Sequence, residues 1–145
     1  MQISKYTELK IKNLLCYNFE KSQLYAKLCE LNQTLHFTSS NTTDTIKFLI
    51  QENENHYILM IPKENIMKET VSDSVIALFY LDAAIKIRFE GSISEYQTFE
   101  PKVKKWLKEQ SLPSPTNIYY CILQADDTFD FMIFDVYLST DNSIL

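Results

Sequence analysis

Hydrophobic and polar positions divide the stretch from Ser74 to Tyr96, SVIALFYLDAAIKIRFEGSISEY, into two parts. Val75 to Leu81 is an unbroken apolar run, the pattern of a strand buried on both faces. After Asp82-Ala83-Ala84 the chain alternates strictly. Ile85, Ile87 and Phe89 lie on one face and Lys86, Arg88 and Glu90 on the other, which predicts a half-exposed strand. Gly91, the only glycine, closes the alternation, and Ile93 is expected to carry the strand on to about Tyr96.

Upstream, residues 5–31 read as helical. Leu24, Leu28, Leu31 and Leu35 follow one another at spacings of 4, 3 and 4, which aligns them on one helix face. The first half of this segment, around Leu9, Ile11, Leu14 and Leu15, is less regular, and Asn18 is a potential break. A meander follows, with strands at Thr34–Thr38, Ile46–Ile50 and His56–Ile61. The polar stretches at 39–44 and Gln51–Asn55 join them as turns. Pro62 ends the third strand because it cannot donate to a ladder, and Lys63–Ser72 fits a short helix.

Downstream, Thr98-Phe99-Glu100-Pro101 reads as a helix start, with proline tolerated in the first turn. Val103, Trp106 and Leu107 face inward, and Lys102, Lys104, Lys105 and Lys108 take the solvated faces. Pro113 and Pro115 stop this helix. The closing hairpin pairs Ile118–Gln124 with Phe129–Leu138 around Ala125–Thr128. The last strand is so apolar that it must be central or covered by a second subunit. Residues 139–145 read as a tail. No internal repeat or linker interrupts residues 1–145, so a single domain is expected, with its barrel at about 34–138. The fold class is mainly β with flanking helices (α+β).

Composition narrows the chemistry. The chain has 145 residues, a formal net charge of −5 and a charged fraction of 23%, as in an ordinary soluble domain. The negative charge argues against a nucleic-acid binder, which normally presents a basic patch. No signal-type segment and no apolar stretch of membrane-spanning length occur, so a cytoplasmic protein without a membrane partner is expected. One glycine cannot build a Rossmann fingerprint, a Walker A loop or a nucleophile elbow. Cys16, Cys29 and Cys121 form no CxxC pair and read as reduced, packed thiols. His36 and His56 lack metal-pair spacing, so no metal site is assigned. Asp126, Asp127, Asp130 and Asp135 offer carboxylates without a catalytic pattern, and no catalytic residue is identified.

The order of elements resembles the pyridoxamine 5′-phosphate oxidase-like family, the split β-barrels that bind flavin mononucleotide (FMN). Tyr57–Phe79 is similar to the family's strand, phosphate-binding turn, short helix and strand. Ala84–Ser94 is similar to its alternating basic strand ending in glycine, and Phe99–Phe134 to its tryptophan-bearing helix, proline loop and final strands. The resemblance implies a six- to seven-stranded antiparallel split β-barrel and a homodimer with FMN between subunits. It also implies a flavin-dependent oxidoreductase of unknown substrate. The cofactor-binding positions it implies are Lys63, Asn65, Lys68, Arg88 and Trp106. The family's arginines and Ser/Thr-rich turn are missing here. Lys47 stands alone on Ile46–Ile50, and the turn reads Pro62-Lys63-Glu64-Asn65. An alternative of another class is a small acidic dimeric protein-binding module, of chaperone or immunity type, without cofactor. A split barrel that binds another small planar ligand is a third reading.

Overall fold

A computed structural model describes residues 2–34, 45–66, 72–126 and 128–139, with the side chains of 32–34 left aside. The chain is mainly antiparallel β with two α-helices among the described residues. The strands are β1 (Gln2–Glu20), β2 (Phe48–Glu52), β3 (His56–Pro62), β4 (Ser74–Gly91), β5 (Asn117–Ala125) and β6 (Met132–Ser139). The helices are α1 (Leu24–Thr34) and α2 (Ile93–Glu109), and short 3-10 turns occupy Lys21–Gln23 and Lys63–Asn65.

The six strands pair in one closed ring, β1-β3-β2-β5-β6-β4, with β4 returning to β1. Closure gives each strand two neighbours, but residues 2–13 of β1 pair only with β4 and residues 74–84 of β4 only with β1, which makes this part of the ring a two-stranded arm. The ring has an internal symmetry. The first half runs β1-α1-β2-β3 and pairs β1 with β3 and β3 with β2; the second runs β4-α2-β5-β6 and pairs β4 with β6 and β6 with β5. β2–β5 and β1–β4 join the halves. The sequence shows no repeat because the two halves share topology and not residues.

Alternation along the strands sends side chains into two cores. Leu14, Leu49, Met60, Phe79, Leu81, Tyr119 and Cys121 form one core, to which neither α1 nor α2 contributes a residue. Phe48, Ile50, Tyr57, Tyr120, Phe134 and Val136 face outward and pack against Leu28 and Leu31 of α1 and Val103 and Leu107 of α2. The leucine stripe at Leu28 and Leu31 is thus a core face; Leu35 lies outside the described residues.

Several expectations need correction. Residues 5–20 are not helical but belong to the long strand β1. The inward residues of β1 run Leu9, Ile11, then Leu14 and Cys16. The step of three crosses Asn13, which takes the left-handed φ of 56° that asparagine tolerates. That step breaks the period-two pattern and imitates a helical one. The helix begins only at Leu24, after the turn at Lys21–Gln23.

The apolar run at Val75–Leu81 is not buried on both faces, since Val75 is 62% exposed; only one side of β4 meets the core there. Ala83, at φ 58°, kinks β4 between its two patterns. Past Gly91 the strand does not continue. Ser92 accepts from the Glu95 backbone N–H, the Glu95 side chain accepts from the Ser92 N–H, and this capping box starts α2 at once. Pro101 therefore sits inside α2 and not in its first turn.

The hairpin β2–β3 and the hairpin β5–β6 form as expected, although β6 starts at Met132 and not at Phe129. β6 lies between β5 and β4 and is buried at nearly every position within one chain. Of the short helix expected at Lys63–Ser72, Lys63–Asn65 form a 3-10 turn, Ile66 is already extended, and 67–71 lie outside the described residues. The strand expected at Thr34–Thr38 lies, past Thr34, outside the described residues, as do Lys68, His36 and residues 140–145. No described helix is long and apolar enough to cross a membrane.

Candidate functional site: a tyrosine–glutamate cluster under α2

The family-derived positions do not converge. Lys63 is exposed on the turn after β3, where it shares a surface depression with Lys10, Lys12 and Glu64. Asn65 donates both amide hydrogens to the backbone, to the Ile46 carbonyl at 2.8 Å and the Lys47 carbonyl at 3.0 Å. It therefore ties the turn to the start of β2. Arg88 pairs with Asp135, its cross-strand neighbour on β6: Nε donates to Oδ1, and Nη2 to Oδ2 at 3.2 Å. The Asp135 side chain is 6% exposed, so the guanidinium is committed to neutralising a buried carboxylate. Trp106 is half-buried on α2, and the Lys5 ammonium lies 5.6 Å from its ring centre.

The polar residues that do converge sit where α2 crosses the ends of β2, β3 and β5. Glu52 is the last residue of β2, directly opposite Tyr57 on β3. Tyr120 of β5 pairs with Ile50, two residues back along β2, so period two brings its ring to the same face as Glu52. From above, α2 supplies Tyr96, Gln97 and Glu100. Lys21 arrives from the turn between β1 and α1.

These groups are connected. The Tyr120 hydroxyl donates to Glu52 Oε2 at 2.6 Å. Gln97 Nε2 donates to the Tyr57 hydroxyl at 2.9 Å and reaches the Tyr120 hydroxyl at 3.5 Å. Lys21 Nζ lies 3.5 Å from Glu52 Oε1 and 5.5 Å from the centre of the Tyr57 ring. Rings wall the cluster: Phe19 against Tyr57 at 5.7 Å, and Tyr96 edge-on to Tyr120 at 5.9 Å. The Tyr96 hydroxyl is buried with no hydrogen-bond partner among the described residues. A buried hydroxyl left unbonded costs on the order of 1–3 kcal/mol unless something else satisfies it.

Electrostatics follow from burial. Glu100 is held above the usual carboxylate range, mainly by burial and further by Glu52, with Lys104 at 3.5 Å opposing. Burial is also the main cause that raises Tyr57, Tyr96 and Tyr120, and for Tyr120 donation to Glu52 adds to it. The phenols therefore stay protonated, and that of Tyr120 donates to Glu52. Among the described residues, the cluster contains no thiol and no imidazole. Elsewhere Cys16 and Cys121 are buried with their thiols pushed up by burial, the opposite of an activated nucleophile. No group of three or more His, Cys, Asp and Glu side chains among the described residues could hold a metal. What the arrangement offers is negative charge beside aromatic faces, a setting that attracts a cation.

One signal for this site is present in the sequence. Ile93, Tyr96, Glu100, Val103 and Leu107 follow at helical spacing, which puts Glu100 in the inward stripe of α2. A carboxylate at a core position marks either a buried ion pair or a ligand contact. Starting the helix at Thr98 hides this stripe. Lys21, Glu52, Tyr57 and Tyr120 carry no comparable mark, because only the strand register assembles them.

The sequence matches, over residues 6–140, the family described as Family of unknown function (DUF5975), and the chain belongs to that family. No curated protein matches it. Among solved structures, SAV2435 bound to tetraphenylphosphonium is similar, with a TM-score of 0.48 and 11% identity over 97% of this chain and 93% of that one.

Proposed function

We propose that this member of DUF5975 is a non-catalytic ligand-binding domain whose tyrosine–glutamate cluster receives the positively charged group of a small organic molecule. The observation that carries this reading is the position of Lys21. Its ammonium rests between Glu52 and the Tyr57 ring, where a ligand cation would be held by the same carboxylate and the same π-face. The Lys21 side chain is 35% exposed and enters from a short turn, so it can swing out when a better-fitting cation arrives. An exposed pair of this kind is worth no more than about 1 kcal/mol. Glu100 supplies a second carboxylate, and Tyr96 an unsatisfied hydroxyl.

Calorimetric titration with benzyltrimethylammonium tests the reading, with benzoate and FMN as comparison ligands. Saturable binding of the cation, weakened about tenfold or more in Glu52→Gln and absent for benzoate, would support it. No binding, or binding unaffected by Glu52→Gln, would overturn it. Recovery of a stoichiometric protein partner that Glu52→Gln abolishes would favour the protein-binding module, with a partner lysine or arginine as the cation.

The flavin-binding split barrel is a second reading with support of its own. Lys63, joined by Lys10 and Lys12 of β1, lines a surface depression of about 850 Å³, and three ammonium groups there could meet a phosphate. Glu64 on the same rim works against it. Titration with FMN, followed by its absorbance and repeated on Lys63→Ala, decides the point. Binding lost in that variant supports FMN, and a colourless protein that takes up none at high micromolar cofactor removes it.

A further inference from the structure

A second cleft lies away from the tyrosine–glutamate cluster, between the kinks of β1 and β4 and the loop that leaves α2. Its volume is about 390 Å³, within the range of ~300–1,000 Å³ that small-molecule sites span. Ile85, Leu107, Leu112 and Leu138 make its floor, and Pro113 and Pro115 stiffen one wall. Leu107 and Leu138 are fully buried, so the floor belongs to the core and does not shift with solvent.

Five non-glycine residues in the described part of the chain have a left-handed φ, and three of them line this cleft: Tyr6 at 55°, Ala83 at 58° and Ser111 at 55°. A left-handed φ is disfavoured for any residue that carries a Cβ. At Ser111 it is the usual left-handed close of a helix, with the Leu112 N–H on the Leu107 carbonyl at 2.9 Å, whereas at Tyr6 and Ala83 it falls within strands, the kind of strain that collects at ligand clamps. The kinks also break the β1–β4 ladder, which loses register between Ser4 and Thr7 and again before Leu9. The two strands part there and open the cleft.

Among the described residues, Lys5 is the only charged one lining it. Its ammonium is steered by Gln110 Oε1 at 3.4 Å and by the Trp106 ring at 5.6 Å, and no carboxylate pairs with it among the described residues. Tyr6 and Ser111 belong to the same lining. An apolar floor with one unneutralised cation at its rim selects one kind of ligand. We propose that this cleft binds a small amphipathic carboxylate, with the acid group on Lys5 and the apolar body over Ile85, Leu112 and Leu138.

The test uses three eight-carbon probes of matched shape: octanoate, octan-1-ol and octylammonium. Trp106 is the only tryptophan in the chain, so its emission reports events at Lys5 directly. Octanoate should saturate the signal with a Kd below about 1 mM. Octanol should bind about fivefold more weakly, and octylammonium more weakly still. Lys5→Gln should reduce octanoate to the level of octanol, and Lys5→Arg should preserve it; both changes fall on an exposed side chain and leave the fold intact. Backbone amide shifts should centre on Tyr6, Ala83 and Ser111. Equal affinity for octanoate and octanol would overturn the proposal, as would indifference to Lys5→Gln, failure to saturate, or amide shifts centred on Tyr57 and Tyr120.

Discussion

The hydroxyl of Tyr120 donates to Glu52 Oε2 at 2.6 Å, which ties β5 to the end of β2 beneath α2. Tyr120 is wholly buried and Glu52 is not, so this bond anchors the carboxylate at the mouth of the cluster. Tyr120→Phe keeps the ring packing against Tyr96 and Phe134 but removes the donor. It should destabilise the fold by about 1–2 kcal/mol. Denaturant unfolding checks this, with far-UV circular dichroism unchanged.

Glu100 makes the fold pH-dependent in a defined direction. Burial raises its pKa above the ordinary value, so the native state favours the protonated acid. Its effect is therefore absent at pH below the ordinary carboxylate range. It grows against the fold as pH rises through the raised value, and persists above it. Glu100→Gln removes this effect. The variant should match the parent near pH 4 and exceed it in Tm near pH 7, as read by thermal melts across that range.

How much of this was legible in the sequence depends on whether a pattern stays in phase. β2, β3, β5 and β6 are visible because they are short, largely apolar runs bounded by polar or proline-containing turns. β1 is not, because Asn13 shifts the inward residues by one and turns a strand pattern into an irregular helical one. The start of α2 was carried by the Ser92–Glu95 capping box just past Gly91, while Pro101 pointed to a later start. The tyrosine–glutamate cluster draws on Lys21, Glu52, Tyr57, Gln97, Glu100 and Tyr120. Only Glu100, a carboxylate at a core position of a helix, stands out before the register is known.

Asp135 and Arg88 provide a test of a different kind. Arg88→Ala leaves the Asp135 carboxylate buried without its cation, and should cost about 3 kcal/mol or more. Replacing both, Arg88→Met with Asp135→Leu, should recover most of that loss. A double-mutant cycle from urea unfolding measures the coupling.

Ala83 occupies a left-handed φ of 58° in the middle of β4. Ala83→Gly relieves that conformation, and the gain is partly offset by the greater freedom of glycine in the unfolded chain. The variant should be more stable by up to about 1 kcal/mol, seen as a rise in Tm. The same change in ordinary strand conformation would lower it.

In the proposed function, Lys21 holds the place of a ligand's cation. The direct measurement is the Kd of benzyltrimethylammonium for the parent protein and for Lys21→Met, which keeps the apolar stem and removes the charge. Freeing Glu52 and the Tyr57 face should tighten binding about threefold or more, and high salt should weaken it in both proteins. Unchanged or weaker binding in Lys21→Met would rule out Lys21 as a stand-in for the ligand's cation.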